Sequence, residues 1–343
     1  MSKCLICNSD YQPFVDFGEM PIANAFATKE EIDNEYTFPM KVGFCQNCYM
    51  VQLVEQPDRE KMFHENYAFF SSTSNYMKSH FSEFADKVST LKDLNSDSFV
   101  VEVGCNDGIM LQNFITKNVP CLGIEPSNNV ANVAREKGIE VISEFFDKAL
   151  AENVISTHKK ADAILSANVM CHIPYIHSIF EGIKVLLKED GVFIFEDPYL
   201  GEIIEKTSFD QIYDEHVFLF SALSVSHLAS MHDLELINVE HQITHGGSMR
   251  YTISHKGFKK ISNNVSILIK HEKELGLDSP KAYSNFSKNL DQIKSDLITL
   301  LLKLKSDGKK VVAYGATSKS TTVTNYFGIT SDLVKCIYDT TPI

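Results

Sequence analysis

The sequence predicts an α/β fold built on a doubly wound, mostly parallel sheet, and three observations carry that reading. The first is the apolar run Val100-Val101-Glu102-Val103, which ends in the small-residue turn Gly104-Cys105-Asn106-Asp107-Gly108. The second is the same grammar repeated a helix later, where Leu122-Gly123-Ile124 ends in Glu125-Pro126. In a doubly wound sheet this places a nucleotide-sized ligand at the carboxyl ends of two adjacent strands. The third is the close of the alternation. Two strand-like runs at 234–239 and 248–254 are joined by a link so short that they can only be antiparallel neighbours.

Each element follows from its local pattern. Residues 1 to about 60 carry two cysteine pairs with strand-like connections such as Met40-Lys41-Val42-Gly43-Phe44. An aromatic, hydroxyl-rich stretch containing Tyr67 spans 64–74, and from 75 to about 94 the spacing of Tyr76, Phe81, Phe84 and Val88 suits an amphipathic helix. Strands are predicted at 99–103, 121–124, 140–142, 163–167 and 192–196, with helices at 129–137, 175–187 and about 224–231. Five parallel strands followed by an antiparallel pair is the pattern of the seven-stranded class I methyltransferase sheet. From about 261 to 305 the chain reads as helix, with Phe286, Leu290, Ile293, Leu297, Leu300 and Leu304 as one apolar stripe facing core or an interface. A further strand-turn-helix unit begins at 309, and a second strand at 334–338 ends in Asp339. Two strands and one helix cannot bury both faces of a parallel sheet, so either they dock on preceding elements or, as is expected, this last domain is truncated.

Composition bounds the function classes. The chain has 343 residues, 44% of them hydrophobic, enough for two or three ordinary cores. It contains no run of eighteen apolar residues, and Met1-Ser2-Lys3-Cys4 opens no signal-peptide apolar region. A cytoplasmic protein is expected. A net charge of -13 disfavours nucleic acid and anionic membrane as partners, although a local basic patch could receive an anionic small substrate. Oligomeric state is not legible. Eight cysteines in such a compartment point to metal or buried thiols. Cys4 and Cys7, with Cys45 and Cys48, form two Cys-x-x-Cys pairs, each able to clamp one edge of a tetrahedral zinc. A redox Cys-x-x-Cys or coincidental thiols are the alternatives. Four thiolates close the coordination sphere, so the site is structural. Cys105, Cys121, Cys171 and Cys336 are scattered and read mostly as buried thiols.

The glycine turn leaves two ligands open, a dinucleotide or S-adenosyl-L-methionine. A dinucleotide fingerprint reads G-x-G-x-x-G, because its later glycines serve a pyrophosphate on a helix N-terminus. Here Gly104 and Gly108 are spaced G-x-x-x-G, with Asn106 and Asp107 filling the turn. Asp107 near a helix N-terminus would repel a pyrophosphate, whereas Glu102 and Asp107 suit a sulfonium ligand with a free amino group. Gly104 and Gly108 let the backbone approach, and Glu125, followed by Pro126, can accept hydrogen bonds from two ribose hydroxyls. The turn thus favours S-adenosyl-L-methionine.

Further candidates lie beyond strand ends. Tyr213-Asp214-Glu215-His216 follows the fifth strand. An imidazole with an ordinary pKa of about 6.5 suits proton abstraction at neutral pH. Glu215 could hold that ring, and Tyr213 could donate to a developing enolate oxygen; the bland alternative is a surface loop. Asn168 ends the fourth strand with His172 one turn beyond, or the two are a helix cap and a solvated histidine. The stretch 245–250 offers a flexible loop with Ser248 and the cation of Arg250, or a hairpin turn with a surface arginine. Gly315-Ala316-Thr317-Ser318-Lys319 resembles a phosphate cradle but lacks the full P-loop pattern, which disfavours nucleotide hydrolysis.

Taken in order, the cysteine pairs, Asn66-Tyr67, the 102–108 turn, Gly123 to Pro126, Asn168 to His172, Tyr213 to His216, His245 to Arg250 and Gly315-Ala316-Thr317 resemble the nucleotide-sugar C-methyltransferases over nearly the whole chain. The resemblance implies three domains, here 1–60 for a zinc module, 61–256 for a methyltransferase domain with a leading helical segment, and 257–343 for a helical linker and partial Rossmann-like domain. It implies a dTDP-type 4-keto deoxysugar as substrate, with His216 as general base and Tyr67, Tyr213, Glu215, Asn168 and His172 around it. The keto group acidifies the neighbouring C–H, His216 removes the proton, and the enolate carbon takes the methyl group. Two features depart from the family: its members continue past the point where this chain ends, and Ser320 stands where a glycine is common. The competing readings are an O- or N-methyltransferase on another metabolite, or an inactive S-adenosylmethionine-binding protein.

Overall fold

The computed structural model describes residues 3–25, 28, 30, 32–57, 62 and 69–340. Along the chain its strands are β1 (Gln12–Pro21), β2 (Thr37–Phe44), β3 (Val51–Leu53), β4 (Val100–Val103), β5 (Cys121–Ile124), β6 (Glu140–Ile142), β7 (Ala161–Ala167), β8 (Leu187–Pro198), β9 (Phe218–Leu219), β10 (Leu234–Gln242), β11 (Ser248–His255), β12 (Ala313–Tyr314) and β13 (Ile337–Tyr338). The helices are α1 (Asn75–Lys92), α2 (Gln112–Ile115), α3 (Asn128–Glu136), α4 (Lys148–Thr157), α5 (Ile176–Leu186), α6 (Leu200–Lys206), α7 (Ala222–Ser230), α8 (Asn263–Glu274), α9 (Pro280–Ser306) and α10 (Ser318–Phe327). The chain divides into two compact units that interleave in sequence. One comprises Phe63–Asp197 and Ala222–His271, the other Met1–Met62, Pro198–Ser221 and Glu272–Ile343.

The first of these units is a seven-stranded sheet in the order β10-β11-β8-β7-β4-β5-β6. β4 pairs in parallel with β5 and β7, β5 with β6, and β7 with β8, while β10 and β11 run antiparallel. Every residue of β4 and β5 is buried, so neither shows the apolar–polar alternation of a half-exposed strand, and Glu102 is a buried carboxyl within β4. α1 is capped by the Ser74 side chain, which accepts from the Met77 N–H, and it ends at Asp93 in a left-handed conformation. It buries Phe81, Phe84, Ala85 and Val88 in a core shared with Val100, Leu165 and Ile194. Tyr76, counted on that face from its spacing, is exposed. β8 begins at Leu187, directly on the end of α5 and ahead of the predicted apolar run. Its polar start escaped the pattern because Lys188 is tied to Asp162 by a salt bridge of 2.8 Å instead of packing in the core.

The second unit holds a four-stranded antiparallel sheet in the order β1-β2-β3-β9. The predicted continuous helix over 261–305 is two helices in the structure. Gly276 adopts φ +79, its N–H and that of Leu277 close on the carbonyls of Lys273 and Glu272, and Pro280 restarts the chain behind a Ser279 cap. The α9 stripe packs through Tyr283 and Phe286 against Phe14, and Tyr283 stacks on Phe44 at 4.3 Å. Further along, Leu301 is buried and Leu300 is 51% exposed, so the buried face has moved one residue from the predicted stripe. β12 and β13 form a parallel pair connected through α10. Among the described residues, no helix is long and apolar enough to cross a membrane.

Candidate active site

The four paired cysteines lie in two turns of the same design. Cys4 N–H bonds the Ser9 carbonyl and Asn8 N–H bonds the Cys4 carbonyl; Cys45 and Met50, and Tyr49 and Cys45, repeat the arrangement. Asn8 and Tyr49, at equivalent positions, both take left-handed φ values, 57° and 61°. The two turns bring the four Sγ atoms within 4.8 Å of one another, with Cys4 to Cys48 at 3.5 Å and Cys7 to Cys45 at 3.4 Å. Thiolates around a tetrahedral zinc, with Zn–S of about 2.3 Å, stand about 3.8 Å apart. The donor set therefore fits zinc, and all four positions are protein sulfur.

In the seven-stranded unit the 104–108 turn closes on the end of β5. Gly104 and Cys105 N–H groups both donate to the Ile124 carbonyl, at 2.8 and 3.2 Å. Asn106 N–H donates to Oε2 of Glu125 at 3.0 Å, and Ser127 N–H donates to Oε1 at 2.9 Å. A carboxylate has about four acceptor sites, so each Glu125 oxygen retains one, the number that two vicinal hydroxyls require. Burial pushes the Glu125 carboxyl up against these two bonds. Glu102 lies one strand over, pushed well up by burial and then by Asp107 and Glu125, and its Oε2 has no hydrogen-bond partner among the described residues. A buried acceptor left open beside Glu125 is what an ammonium-bearing ligand would satisfy.

Several predicted residues sit elsewhere in the chemistry than their sequence position suggested. Gly104 and Gly108 have φ values of +74° and +77°, but a Cβ on Gly104 would meet Val169 at 2.3 Å and one on Gly108 would meet Ile139 at 2.3 Å. Backbone handedness and packing against the chain itself demand these glycines. Asp107, read as a free acid facing a cation, accepts from Ser72 N–H and Oγ at 2.9 and 2.8 Å, with Lys137 Nζ 3.7 Å away. The Asn106 amide accepts from Ser71 N–H and donates to the Phe69 carbonyl. Both side chains staple the 69–72 segment to the turn. Lys137 supplies the countercharge, and nothing in the local sequence marks it. Pro126 follows Glu125 and leads into α3.

At the end of β7, Asn168 takes φ +55° while its N–H bonds the Glu196 carbonyl at 2.7 Å. Its neighbour Val169 fills the space beside Gly104, so this loop and the glycine turn are packed together. His172 closes the short helix Met170–His172. Asp197, absent from the sequence-based candidates, accepts from Cys171 N–H at 3.1 Å, and burial pushes it up to about 8. Tyr67 lies outside the described residues.

Arg250 and Ser248 overturn the reading of 245–250 as a loop with an available cation. Both lie in β11. Arg250 is 3% exposed, its Nε and Nη2 bond Oε2 of the fully buried Glu196 at 3.0 and 2.7 Å, and its guanidinium lies 3.7 Å over the Phe84 ring. His80 and Thr244 take the other Glu196 oxygen at 2.7 and 3.1 Å. The Ser248 hydroxyl donates to the Thr244 carbonyl. A charge this deep needs a partner in place, and Glu196 provides it.

The Tyr213-Asp214-Glu215-His216 segment belongs to the other unit. His216 Nδ1 lies 2.6 Å from the Gln211 carbonyl. A carbonyl can only accept, so Nδ1 carries the proton and Nε2 is the basic nitrogen of the neutral ring. The Gln211 carbonyl therefore orients the His216 ring, the part the sequence suggested for Glu215. The Tyr213 ring packs on His216 with centroids 4.2 Å apart. Glu215 instead accepts from Asn24 Nδ2 at 2.6 Å, and Asp214 accepts from Ala23 N–H at 3.1 Å. Burial, then Asp214, push Glu215 up to about 8, and burial pushes Asp214 up to about 6. The glycine-rich turn before α10 is partly occupied by its own chain. Gly315 N–H bonds the Tyr338 carbonyl and Ala316 N–H bonds Asp339 Oδ2, both at 2.7 Å, so an anion there would meet a carboxylate. Lys319 keeps its ammonium, pushed down by burial and back up by Asp210.

Comparison with known proteins matches three consecutive stretches of the chain. Residues 76–239 match the family model of a methyltransferase domain, residues 4–63 that of a zinc binding domain, and residues 243–343 that of a C-methyltransferase C-terminal domain. The chain is 28% identical to C-methyltransferase NovU of Streptomyces niveus over 344 residues, covering 99% of this chain and 82% of that protein. A stretch of 99 residues is 28% identical to the ubiquinone biosynthesis O-methyltransferase of Glaesserella parasuis serovar 5 (strain SH0165), covering 27% of this chain and 42% of that one. Among solved structures, a SAM-dependent methyltransferase from Anabaena variabilis ATCC 29413 aligns at 15% identity and a TM-score of 0.43, over 56% of this chain and 89% of that chain.

Proposed function

On the premise that the chain is an S-adenosyl-L-methionine-dependent methyltransferase carrying the modules of the C-methyltransferase family, we propose that it methylates the carbon beside the keto group of a nucleotide-linked, dTDP-type 4-keto deoxysugar. The observation that carries this reading is the fixed tautomer of His216, whose Nδ1 is held 2.6 Å from the Gln211 carbonyl. An acidic hydroxyl needs little help to lose its proton. A C–H needs both a base and an electron sink.

Bound S-adenosyl-L-methionine supplies an electrophilic methyl group on a sulfonium. Glu102, Gly104, Asn106, Gly108, Glu125, Pro126 and Asn168 are the residues we assign to hold it, with Asp107 one step back from the ligand. The rest of the chain makes the nucleophile. His216 Nε2 takes the proton from the carbon next to the ketone, leaving an enolate with its negative charge on oxygen. Tyr213 O–H donates to that oxygen. Glu215, protonated at neutral pH because burial and Asp214 push it up to about 8, keeps a second acid close to the imidazole. Tyr67, Asn168 and His172 complete the set assigned to the reaction, and Lys319 is assigned to the anionic part of the substrate.

The test is solvent deuterium exchange and methyl transfer in His216→Asn, using a panel of dTDP-, CDP- and GDP-4-ketosugars. A general base contributes about 10²–10⁴-fold, so both rates should fall by that order, and only one nucleotide class should gain a methylene unit by mass. Exchange and methylation that persist together in the variant refute the assignment of the base.

A further inference from the structure

We infer that Asn24 is a positioning residue for the base, fixing Glu215 beside His216 by tying its carboxyl to the first residue of α10. The inference rests on the assignment of His216 above. Its evidence is a chain of three contacts within one unit. Asn24 Nδ2 donates to Glu215 Oε1 at 2.6 Å, Ser318 Oγ donates to Asn24 Oδ1 at 3.0 Å, and the preceding Ala23 N–H donates to Asp214 Oδ1 at 3.1 Å. α10 makes a second tie to the same segment through Thr322 Oγ1, which donates to the Ile212 carbonyl at 2.7 Å. Stretches of the chain 191 and 294 positions apart are thus joined through one amide.

The segment being held is a tight one. His216 N–H bonds the Tyr213 carbonyl and Val217 N–H bonds the Glu215 carbonyl, so Glu215 cannot move without carrying the backbone of the base with it. Asp214 and Glu215 are 2% and 3% exposed, and two adjacent buried acids repel when both ionise. A lysine or arginine in place of Asn24 would force Glu215 into its charged form. An amide offers both a donor and an acceptor and satisfies the carboxyl in either protonation state. On the far side of Asn24 lies Ser318, next to Lys319, so the same contact sets the base segment against the start of α10.

Asn24→Ala and Asn24→Ser, the second keeping a polar side chain too short to reach Glu215, test this in the full chain, with His216→Asn in parallel. Loss of reacting-group alignment costs up to about 100-fold. We expect kcat and the solvent-exchange rate at the acceptor carbon to fall together by about 10- to 100-fold. Bound zinc and the affinity for S-adenosyl-L-methionine should be unchanged, which a merely structural role would not preserve. Wild-type kcat and exchange in both Asn24 variants, with His216→Asn inactive, overturn the role of Asn24 and leave the base assignment standing. Loss of zinc or of cofactor affinity in both variants also overturns it, by assigning Asn24 to folding. His216→Asn active at the wild-type rate refutes the base and this inference with it.

Discussion

Replacing Arg250 with methionine separates a structural cation from a substrate-binding one. Glu196 is fully buried and Arg250 gives two of the four bonds it accepts, at 3.0 and 2.7 Å; His80 and Thr244 give the others. Burial alone would push Glu196 up, but His80 and Arg250 outweigh it and hold the carboxyl below its ordinary range. Removing one partner of a buried pair costs about 3–5 kcal/mol, because the other charge is left without compensation. Met keeps an apolar chain over Phe84 and tests the charge more than the packing. With two donors remaining on Glu196, the lower end applies, about 3 kcal/mol. For a unit of this size that is a fall in Tm of about 6–12 °C. Thermal melting followed by calorimetry, with steady-state kinetics on the same samples, measures both sides. Glu196→Gln combined with Arg250→Met should recover part of the loss, since the pair is coupled. A Tm within about 2 °C of wild type, together with a raised KM for the sugar, would refute the buried ion pair and return Arg250 to the substrate.

Two further outcomes follow from the carboxyls. Glu215 is pushed up from 4.5 to about 8, so the folded chain holds a proton that the unfolded chain releases, and stability falls as pH rises from about 4.5 to about 8. Glu215→Gln should remove that fall and be more stable than wild type at pH 9 while matching it at pH 4.5; denaturant titrations at pH 4.5, 7 and 9 with parallel slopes for the two proteins would contradict this. Glu125→Gln keeps the shape of the side chain but halves its acceptors, so S-adenosyl-L-methionine should bind about 10-fold more weakly by calorimetry, equivalent to about 1.4 kcal/mol. Unchanged affinity would remove Glu125 from the cofactor site.

The elements were legible because they depend on neighbours in sequence. β4 and β5 are buried on both faces, and Cys4 to Cys7 and Cys45 to Cys48 carry their turn geometry within six residues each. The helix break at Gly276 and Pro280 is written in the chain as well, but the apolar stripe begins only at Phe286 and does not report on it. The exposed Leu300 shows the limit of the stripe itself: periodicity states that a face is apolar, and only packing states where the cover ends.

By itself, then, the sequence determined the α/β alternation, the antiparallel closing pair, the four zinc ligands and the pairing of the 104–108 turn with Glu125. These rest on periodicity, handedness and short spacings, which a linear chain specifies locally. Tertiary structure decided what each polar group does. Arg250 met Glu196, Asp107 met Ser72 and Lys137, His216 took Gln211 as its orienting acceptor, and Glu215 was left to Asn24. A sequence offers many carboxylates and donors of equal intrinsic strength, and a hydrogen bond forms only within about 3 Å. Which pair meets at that distance is fixed by the fold, and burial then makes the choice energetically large.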